Sequence, residues 1–402
     1  MENIRKITND LYYIGCNDRK ISLFESVYPV PQGISYNSYL LKDDKTVLFD
    51  TVDKSCSEQF FENLEGALGD KKLDYMIINH LEPDHSAMIK KVVEKYPEVK
   101  IVCNLKTKQM LYQFFEFKND IEANFEVVKE GDIVSSGNHE FTFVMAPMVH
   151  WPEVMVTYDI TAKILFSADA FGSFGALNGN IIDNETEFAP LIDEYRRYYT
   201  NIVGKYGTQV NMLLKKASNL EIETVCPLHG LIIKNNISKL VELYSKWASY
   251  IPEINSVLIP YTSVYGNTQN AAEIIAAKLA DKGIKNIKMY DVSMVHDSYI
   301  LSDCFKYSHI VIATTTYNNN VFVNMENFIH DLVNHCLQNR TFAIVENGSW
   351  APNCGTTVKS ELEKLQNCKI LDNKITVKSS LKQVQKSDID IFIDSIVSDL
   401  NK

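Results

Sequence analysis

Between positions 80 and 85 the chain places four side chains able to bind a metal: His80, Glu82, Asp84 and His85, in the run Asn79-His80-Leu81-Glu82-Pro83-Asp84-His85-Ser86. Two are imidazoles and two are carboxylates. The residues before them, Met76, Ile77 and Ile78, read as the end of a buried strand. Pro83 lacks a backbone donor and argues against a continuing helix, so the sequence predicts a loop leaving a strand end. Such a loop can curl all four donors around one point, and the chemistry it predicts is metal binding.

Three more strand ends deliver a donor of the same kind. His150 follows the β-rich stretch Glu140 to Met145, Asp169 follows Lys163 to Ser167, and His229 follows Thr224 to Pro227. Any one of these alone reads as a satisfied histidine or a turn-capping aspartate. Four such ends point instead to the common edge of a β-sandwich with helices outside. Seven donors, four imidazoles and three carboxylates, suffice for two ions with one carboxylate bridging. Three carboxylates against two divalent ions leave a charge of about +1, and mixed sets with open positions favour redox-active iron over structural zinc.

The surrounding pattern supplies the elements that must hold these residues. Leu11 to Gly15 and a hairpin over 37–52 read as strands, with Asp50 at a strand end, and Ser57 to Leu68 reads as a helix. A helix is predicted from Ser86 to Tyr96, a strand at Lys100 to Cys103, and a helix-rich segment from Leu191 to about Lys216; Phe114, Phe115 and Phe117 are assigned to the core. After a linker containing Pro252 the pattern becomes regular βαβ alternation, which divides the chain into residues 1–250 and 251–402.

The second half carries its own chemistry. The strand Ser256 to Tyr261 enters the hydroxyl-rich loop Thr262-Ser263-Val264-Tyr265-Gly266-Asn267-Thr268, and a helix follows from about Gln269 to Lys282. Backbone N–H groups and a helix N-terminus favour an anion there. The loop has no Lys, and the Gly-Lys-Ser/Thr of a nucleotide-hydrolysing loop is absent, so a terminal monophosphate that need not react fits best. Two further loops lie at the same sheet edge: Thr314 to Asn320, with Thr315, Thr316, Tyr317, Asn318 and Asn319, and Asn347-Gly348-Ser349-Trp350. Tyr317 and Trp350 can bracket a flat ring whose rim the Asn side chains and Gly348 could hydrogen-bond. These features point to flavin mononucleotide.

Composition narrows the classes. A chain of 402 residues with 46% hydrophobic and 23% charged residues is globular and too long for one ordinary core. The net charge of -11 argues against a partner bound through nucleic-acid phosphates. No two of the eight cysteines are spaced Cys-x-x-Cys, which excludes a zinc knuckle or a four-cysteine iron site. Their scatter suits a reducing compartment. With neither an apolar leader nor an eighteen-residue apolar run, the sequence predicts a cytoplasmic protein that does not span a membrane.

The loop at 262–268 resembles the phosphate loop of flavodoxins, and the likeness runs in order and length over residues 256–402, with Ala351, Pro352 and Asn353 standing where more glycine is usual. The first half resembles metallo-β-lactamase-like hydrolases, except that Glu82 stands where they carry a second His. Together, His80-x-Glu82-x-Asp84-His85, His150-Trp151-Pro152, Ser167-Ala168-Asp169 and Leu228-His229-Gly230, followed by the flavodoxin-like half, resemble the flavodiiron proteins in their short form.

That resemblance implies an αββα metallo-β-lactamase-like sandwich followed by a doubly wound flavodoxin-like parallel sheet. It implies one iron held by His80, Glu82 and His150, another by Asp84, His85 and His229, and Asp169 bridging them. It also implies FMN, reduction of O2 to water and/or NO to N2O, a rubredoxin or similar electron donor, and a head-to-tail homodimer or dimer of dimers. Some members carry a His just after the position of Phe24; Glu25 stands here, so a proton-donor role for that His does not carry over. Two other readings compete. One is a metal-dependent hydrolase with a fused electron-transfer domain, against which Glu82 counts. The other is a flavodoxin-like carrier on a metal-free scaffold, which would leave seven donors idle.

Overall fold

The computed structural model describes residues 1–118 and 120–402. The chain forms two compact units, one of Met1–Tyr199 with Thr208–Ser245, the other of Thr200–Gly207 with Lys246–Lys402. No local pattern in the sequence signals that Thr200–Gly207 groups with the second unit.

The first unit holds two main sheets. In the larger, Arg5–Lys6, Leu11–Tyr13, Tyr39–Lys42, Thr46–Phe49, Tyr75–Ile77, Lys100–Asn104 and Phe125–Val128 lie side by side in that order. The first four pair antiparallel and the rest parallel. The second sheet runs Ile133–Ser135, Glu140–Met145, Met155–Asp159, Ile164–Phe166 and Thr224–Cys226, antiparallel until its last, parallel pair. The sheets meet through aromatic rings: Phe49 stacks on Phe166 at 3.7 Å and meets Phe141 edge-on at 5.5 Å. The helix Ser57–Leu68 makes the crossover from Thr46–Phe49 to its parallel neighbour Tyr75–Ile77 and buries Phe60, Leu64, Ala67 and Leu68. Its spacing of apolar residues is that of a one-sided helix.

Three sequence expectations are corrected in this unit. Pro83 does not keep the donor run a loop; it opens a single helical turn, Pro83–Ser86, with Glu82 at the N-cap. Proline's fixed φ suits the first helical position, where its missing N–H would have had no partner. The expected helix from Ser86 to Tyr96 is accordingly Ile89–Lys95, entered after a break. Phe114 is 43% exposed, and Phe115 and Phe117 are only half-buried. These three cluster beside Tyr112 and Trp151 at the surface.

The second unit is a parallel sheet in the order Lys288–Asp291, Ile254–Tyr261, Tyr307–Tyr317, Thr341–Asn347, then Lys369–Ile370 and Ile375–Val377. The first strand in sequence is thus second in space, the doubly wound order of flavodoxin-like sheets. The helices Asn267–Asp281 and Lys386–Leu400 pack together on the sheet through Ala272, Ile275, Leu279, Phe392, Ile393 and Ile396. The segment expected as a loop from Thr314 to Asn320 is mostly strand: Tyr307–Tyr317 turns through Asn318 and Asn319, at φ 50° and 60°, and pairs back with Asn320–Val321. Asparagine tolerates the left-handed region that this tight hairpin demands.

Candidate metal centre and phosphate cradle

The metal donors sit on strand ends that are fastened before any ion is considered. Asp50, one residue past its strand at φ 51°, accepts from the Asn79 backbone N–H and side-chain amide, each at 2.8 Å, and from the His80 N–H at 3.2 Å. Asn79 in turn accepts from the Thr157 hydroxyl at 2.7 Å, tying the end of one sheet to the other. His229 is held the same way: Asn37 donates to the carbonyls of Pro227 and Gly230, and the Gly230 N–H donates to Ser35 Oγ.

The seven donors converge as two sets. His80, Glu82, His150 and Asp169 each offer an atom within 4.8 Å of the others, and so do Asp84, His85 and His229. Asp169 Oδ2 lies 3.2 Å from both His80 Nε2 and His150 Nε2, while its Oδ1 lies 3.3 Å from His85 Nε2 and 3.7 Å from His229 Nε2. Glu82 Oε2 is 3.2 Å from His80 Nε2 and 2.9 Å from His150 Nε2. Asp84 Oδ2 is 3.2 Å from the Nε2 atoms of both His85 and His229.

These separations fit metal ligation. Donors about 2.1 Å from a common ion stand roughly 3.0–3.4 Å apart in octahedral or tetrahedral geometry. The hydrogen bonding fits as well. His80 Nδ1 donates to Glu153 Oε1 at 2.8 Å and His229 Nδ1 to the Ser35 carbonyl at 2.7 Å, so both turn Nε2 inward. Both oxygens of Asp84 and Oδ1 of Asp169 are buried without a hydrogen-bond donor. Buried carboxylate oxygens seldom stay unpartnered, and cations satisfy them.

Within the cluster, carboxylates and imidazoles shift one another's hold on protons. Burial lowers the His150 imidazole, but Asp169 and Glu82 outweigh it and lift it to about 10. Burial raises the Asp169 carboxyl, yet His80, His150 and His85 together hold it well below its ordinary value. Burial, with the negative charges of Glu82 and Asp169, pushes Asp84 up to about 7. Metal binding must therefore displace protons. Glu25 has an exposed edge, but its carboxyl is crowded by neighbours and by the Glu82 charge, which push it up to about 8.

Sequence reasoning missed Glu153, Ser35 and Asn37, and saw Asp50 only as a strand end. No motif marks these residues; each is a polar side chain with no exposed surface or nearly none, and burial is invisible in the sequence.

In the second unit, Ser263, Val264, Tyr265, Asn267, Thr268, Thr315–Asn319 and Asn347–Ala351, with Ser379, line a cavity of about 380 Å³. None of these carries charge. Gly266, at φ 87°, turns the chain into the helix Asn267–Asp281 and accepts no side-chain cap, which leaves the helix N-terminus free for an anion. Tyr265 is 92% and Trp350 93% exposed, flat apolar surface that a stacked ring would cover. A Cβ on Gly348 would stand 2.7 Å from Pro352 Cα, so the third loop closes only with glycine. Thr262 differs from the expectation: it is fully buried and hydrogen-bonded to Thr314 rather than lining the cavity. Ser379, unforeseen, follows the strand Ile375–Val377, and its carbonyl accepts from Asn347.

Fold and donor set thus define a β-lactamase-type metalloprotein joined to a flavodoxin module. Residues 34–230 match the ODP family beta lactamase and residues 259–365 match Flavodoxin. An uncharacterized protein of Methanocaldococcus jannaschii is 32% identical over 94% of both chains. The anaerobic nitric oxide reductase flavorubredoxin of Vibrio vulnificus is 33% identical over 78% of this chain, which spans 63% of the Vibrio protein. Among solved structures, the rubredoxin oxygen:oxidoreductase of Desulfovibrio gigas superposes with a TM-score of 0.92 at 25% identity, covering 99% of this chain and 98% of that one. A Thermotoga maritima flavoprotein gives 0.90 at 27% identity, with coverage of 99% and 98%. The chain belongs to the flavodiiron protein family. It is an oxidoreductase whose cofactors are FMN, implied by the flavodoxin module, and a non-haem diiron pair, which the converging His, Asp and Glu side chains fit. Among the described residues no helix is long and apolar enough to cross a membrane.

Proposed function

We propose that this protein reduces a diatomic gas, O2 to water and/or NO to N2O, with electrons passed through FMN from a rubredoxin or a similar small donor. The observation that carries the reading is the division of Asp169, whose two oxygens face two separate donor sets. His80, Glu82 and His150 would hold one iron, Asp84, His85 and His229 the other, and Asp169 would join them. Bound there, the irons supply paired one-electron chemistry with open positions, and FMN supplies a two-electron store released singly. The flavin would lie against Tyr265, Tyr317 and Trp350, with its phosphate over Ser263, Asn267 and Thr268.

The chain's own groups set the conditions for that chemistry. Glu153 and Ser35 fix the tautomers of His80 and His229 and keep Nε2 free for the metal. The rings of Phe24, Tyr36 and Tyr198, centred 5.3, 5.8 and 5.4 Å from that of His229, wall one side of the site and exclude water. The Tyr198 hydroxyl is buried without a partner, and burial with the nearby Asp169, Asp84 and Glu82 charges holds its proton firmly. It stands ready as a hydrogen-bond donor beside the donor sets.

A head-to-tail homodimer, or a dimer of such dimers, placing the flavin of one copy against the irons of the other, completes the proposal. Sedimentation tests it, since an active monomer would refute the pairing. The activity is tested with iron- and FMN-loaded protein and one reduced rubredoxin, supplied with O2 in one cell and anaerobic NO in the other. Turnover of either gas, lost on iron removal, is expected. A zinc protein that hydrolyses thioesters and consumes neither gas would overturn the reading.

A further inference from the structure

A second cluster of reactive side chains lies in the first unit, apart from the seven metal donors. Cys16 begins the strand Cys16–Asp18, and Cys56 ends the short helical turn Lys54–Cys56 that leads directly into the helix Ser57–Leu68. The sequence separates them by forty residues, but the fold packs the strand of Cys16 against the turn of Cys56 and turns both residues to one cavity. Both line an open cavity of about 900 Å³ whose walls include Arg5, Arg19, Glu58 and Gln59.

The two thiols are not equivalent. Cys56 occupies the N-cap of a twelve-residue helix, where the dipole favours negative charge. Its sulfur accepts a hydrogen bond from the Ser55 hydroxyl at 3.9 Å, and Cys16 lies beside it. The neighbouring Cys16 thiol, above all, lowers its pKa despite burial and the opposing carboxylates of Asp18 and Asp53. Cys16 is pushed the other way, well above the ordinary thiol value, by burial and by the neighbouring Cys56. Cys56 is also the more open, at 8% exposed against 2%.

We propose that Cys16 and Cys56 form an oxidisable dithiol that hydrogen peroxide reaches through this cavity and closes to a disulfide. The Cys56 thiolate attacks one peroxide oxygen, breaking the O–O bond, forming S–OH and releasing hydroxide. The Cys16 sulfur then displaces water from that sulfenic acid, its proton leaving with the departing oxygen. One peroxide is reduced to two waters while each sulfur is oxidised by one electron. The site is separate from the proposed gas reduction and does not rest on it. Cys16 pairs across the strand ribbon with Tyr36, whose ring lies against His85 and His229, so the new bond would tie down a strand that borders the metal donors.

The test is a peroxide titration of the iron- and FMN-loaded protein, quenched with catalase, alkylated and peptide-mapped without reduction. A linked pair of peptides carrying Cys16 and Cys56 is expected, disappearing with dithiothreitol. Cys16→Ser should stop at a dimedone-reactive sulfenic acid on Cys56, and Cys56→Ser should leave Cys16 reduced. Cys336, which is exposed, serves as the reference and should react about tenfold more slowly. Both variants keep the irons, so oxidation driven by iron alone would persist in them unchanged and would overturn the proposal. Oxidation of Cys336 ahead of Cys56, or conversion of Cys56 to sulfinic acid in the intact pair, would also overturn it.

Discussion

The two units solve the problem of holding a cofactor in opposite ways. In the first, the donors are charged and mostly buried, and they come from strand ends and one helical turn spread between His80 and His229; two of them, His80 and His229, are steered by groups that touch no metal, Glu153 and the Ser35 carbonyl. In the second, the cavity is uncharged and open, built from three strand-end loops and a helix N-terminus. Buried charge is tolerated only when geometry is prepared in advance, so the metal site needs a supporting layer. A phosphate and a flat ring can be met by backbone amides and exposed aromatic faces with far less preparation.

The sharpest way to break this comparison is Asp169→Asn. Losing the shared carboxylate should empty both donor sets and lower gas reduction by about 100-fold or more, with FMN content unchanged. Metal analysis beside the flavin spectrum reads both, and concurrent loss of FMN would mean that the two sites are not independent.

Glu153→Gln probes the supporting layer. Iron affinity should fall about 10- to 100-fold in competition with a chelator, because His80 loses the carboxylate that fixes its tautomer. An unchanged affinity would show that the first unit needs no such layer.

His139 extends the idea of prepared charge to a place without metal. Asp159 and Asp10 hold its imidazolium at 2.6 and 3.1 Å and raise its pKa to about 9. The folded value lies above the unfolded value of about 6.5, so this stabilisation is complete below that pH and is lost as pH rises through about 9. Wild type should exceed His139→Gln by about 2 kcal/mol in urea unfolding at pH 6, and the gap should close near pH 10. A gap independent of pH would remove the ion-pair explanation.

Trp350→Ala carries the smallest expected effect. FMN affinity should weaken about tenfold, roughly 1.4 kcal/mol, with iron content intact. A complete loss of flavin would show that the second cradle depends on one residue as strongly as the first depends on Asp169.

Much of this molecule was legible in its sequence because chemistry and period coincide. Strand ends announce themselves through apolar runs, and donors come shortly after them, as His80 follows Tyr75–Ile77 and Asp169 follows Ile164–Phe166. The turn into Asn267–Asp281 was legible for the same reason: a strand, a hydroxyl-rich loop and an amphipathic helix occur in order. Legibility failed where a residue's role depends on what faces it. Pro83 can end a helix or begin one, and here it stands at the first position of the turn Pro83–Ser86. Phe114, Phe115 and Phe117 have core composition but meet one another and Trp151 at the surface. Thr262 has the right side chain for a phosphate and turns instead to Thr314.

By itself the sequence determined which donors exist, the order of strands that carry them and the loop that meets a phosphate, because residue type and short-range period act locally along the chain. The tertiary structure alone decided that Asp169 faces both donor sets, that Glu153 and Ser35 aim His80 and His229, and that Cys16 meets Cys56. Those are distances between residues tens to hundreds of positions apart. They are set by how two sheets pack across rings such as Phe49 and Phe166, and no local pattern encodes them.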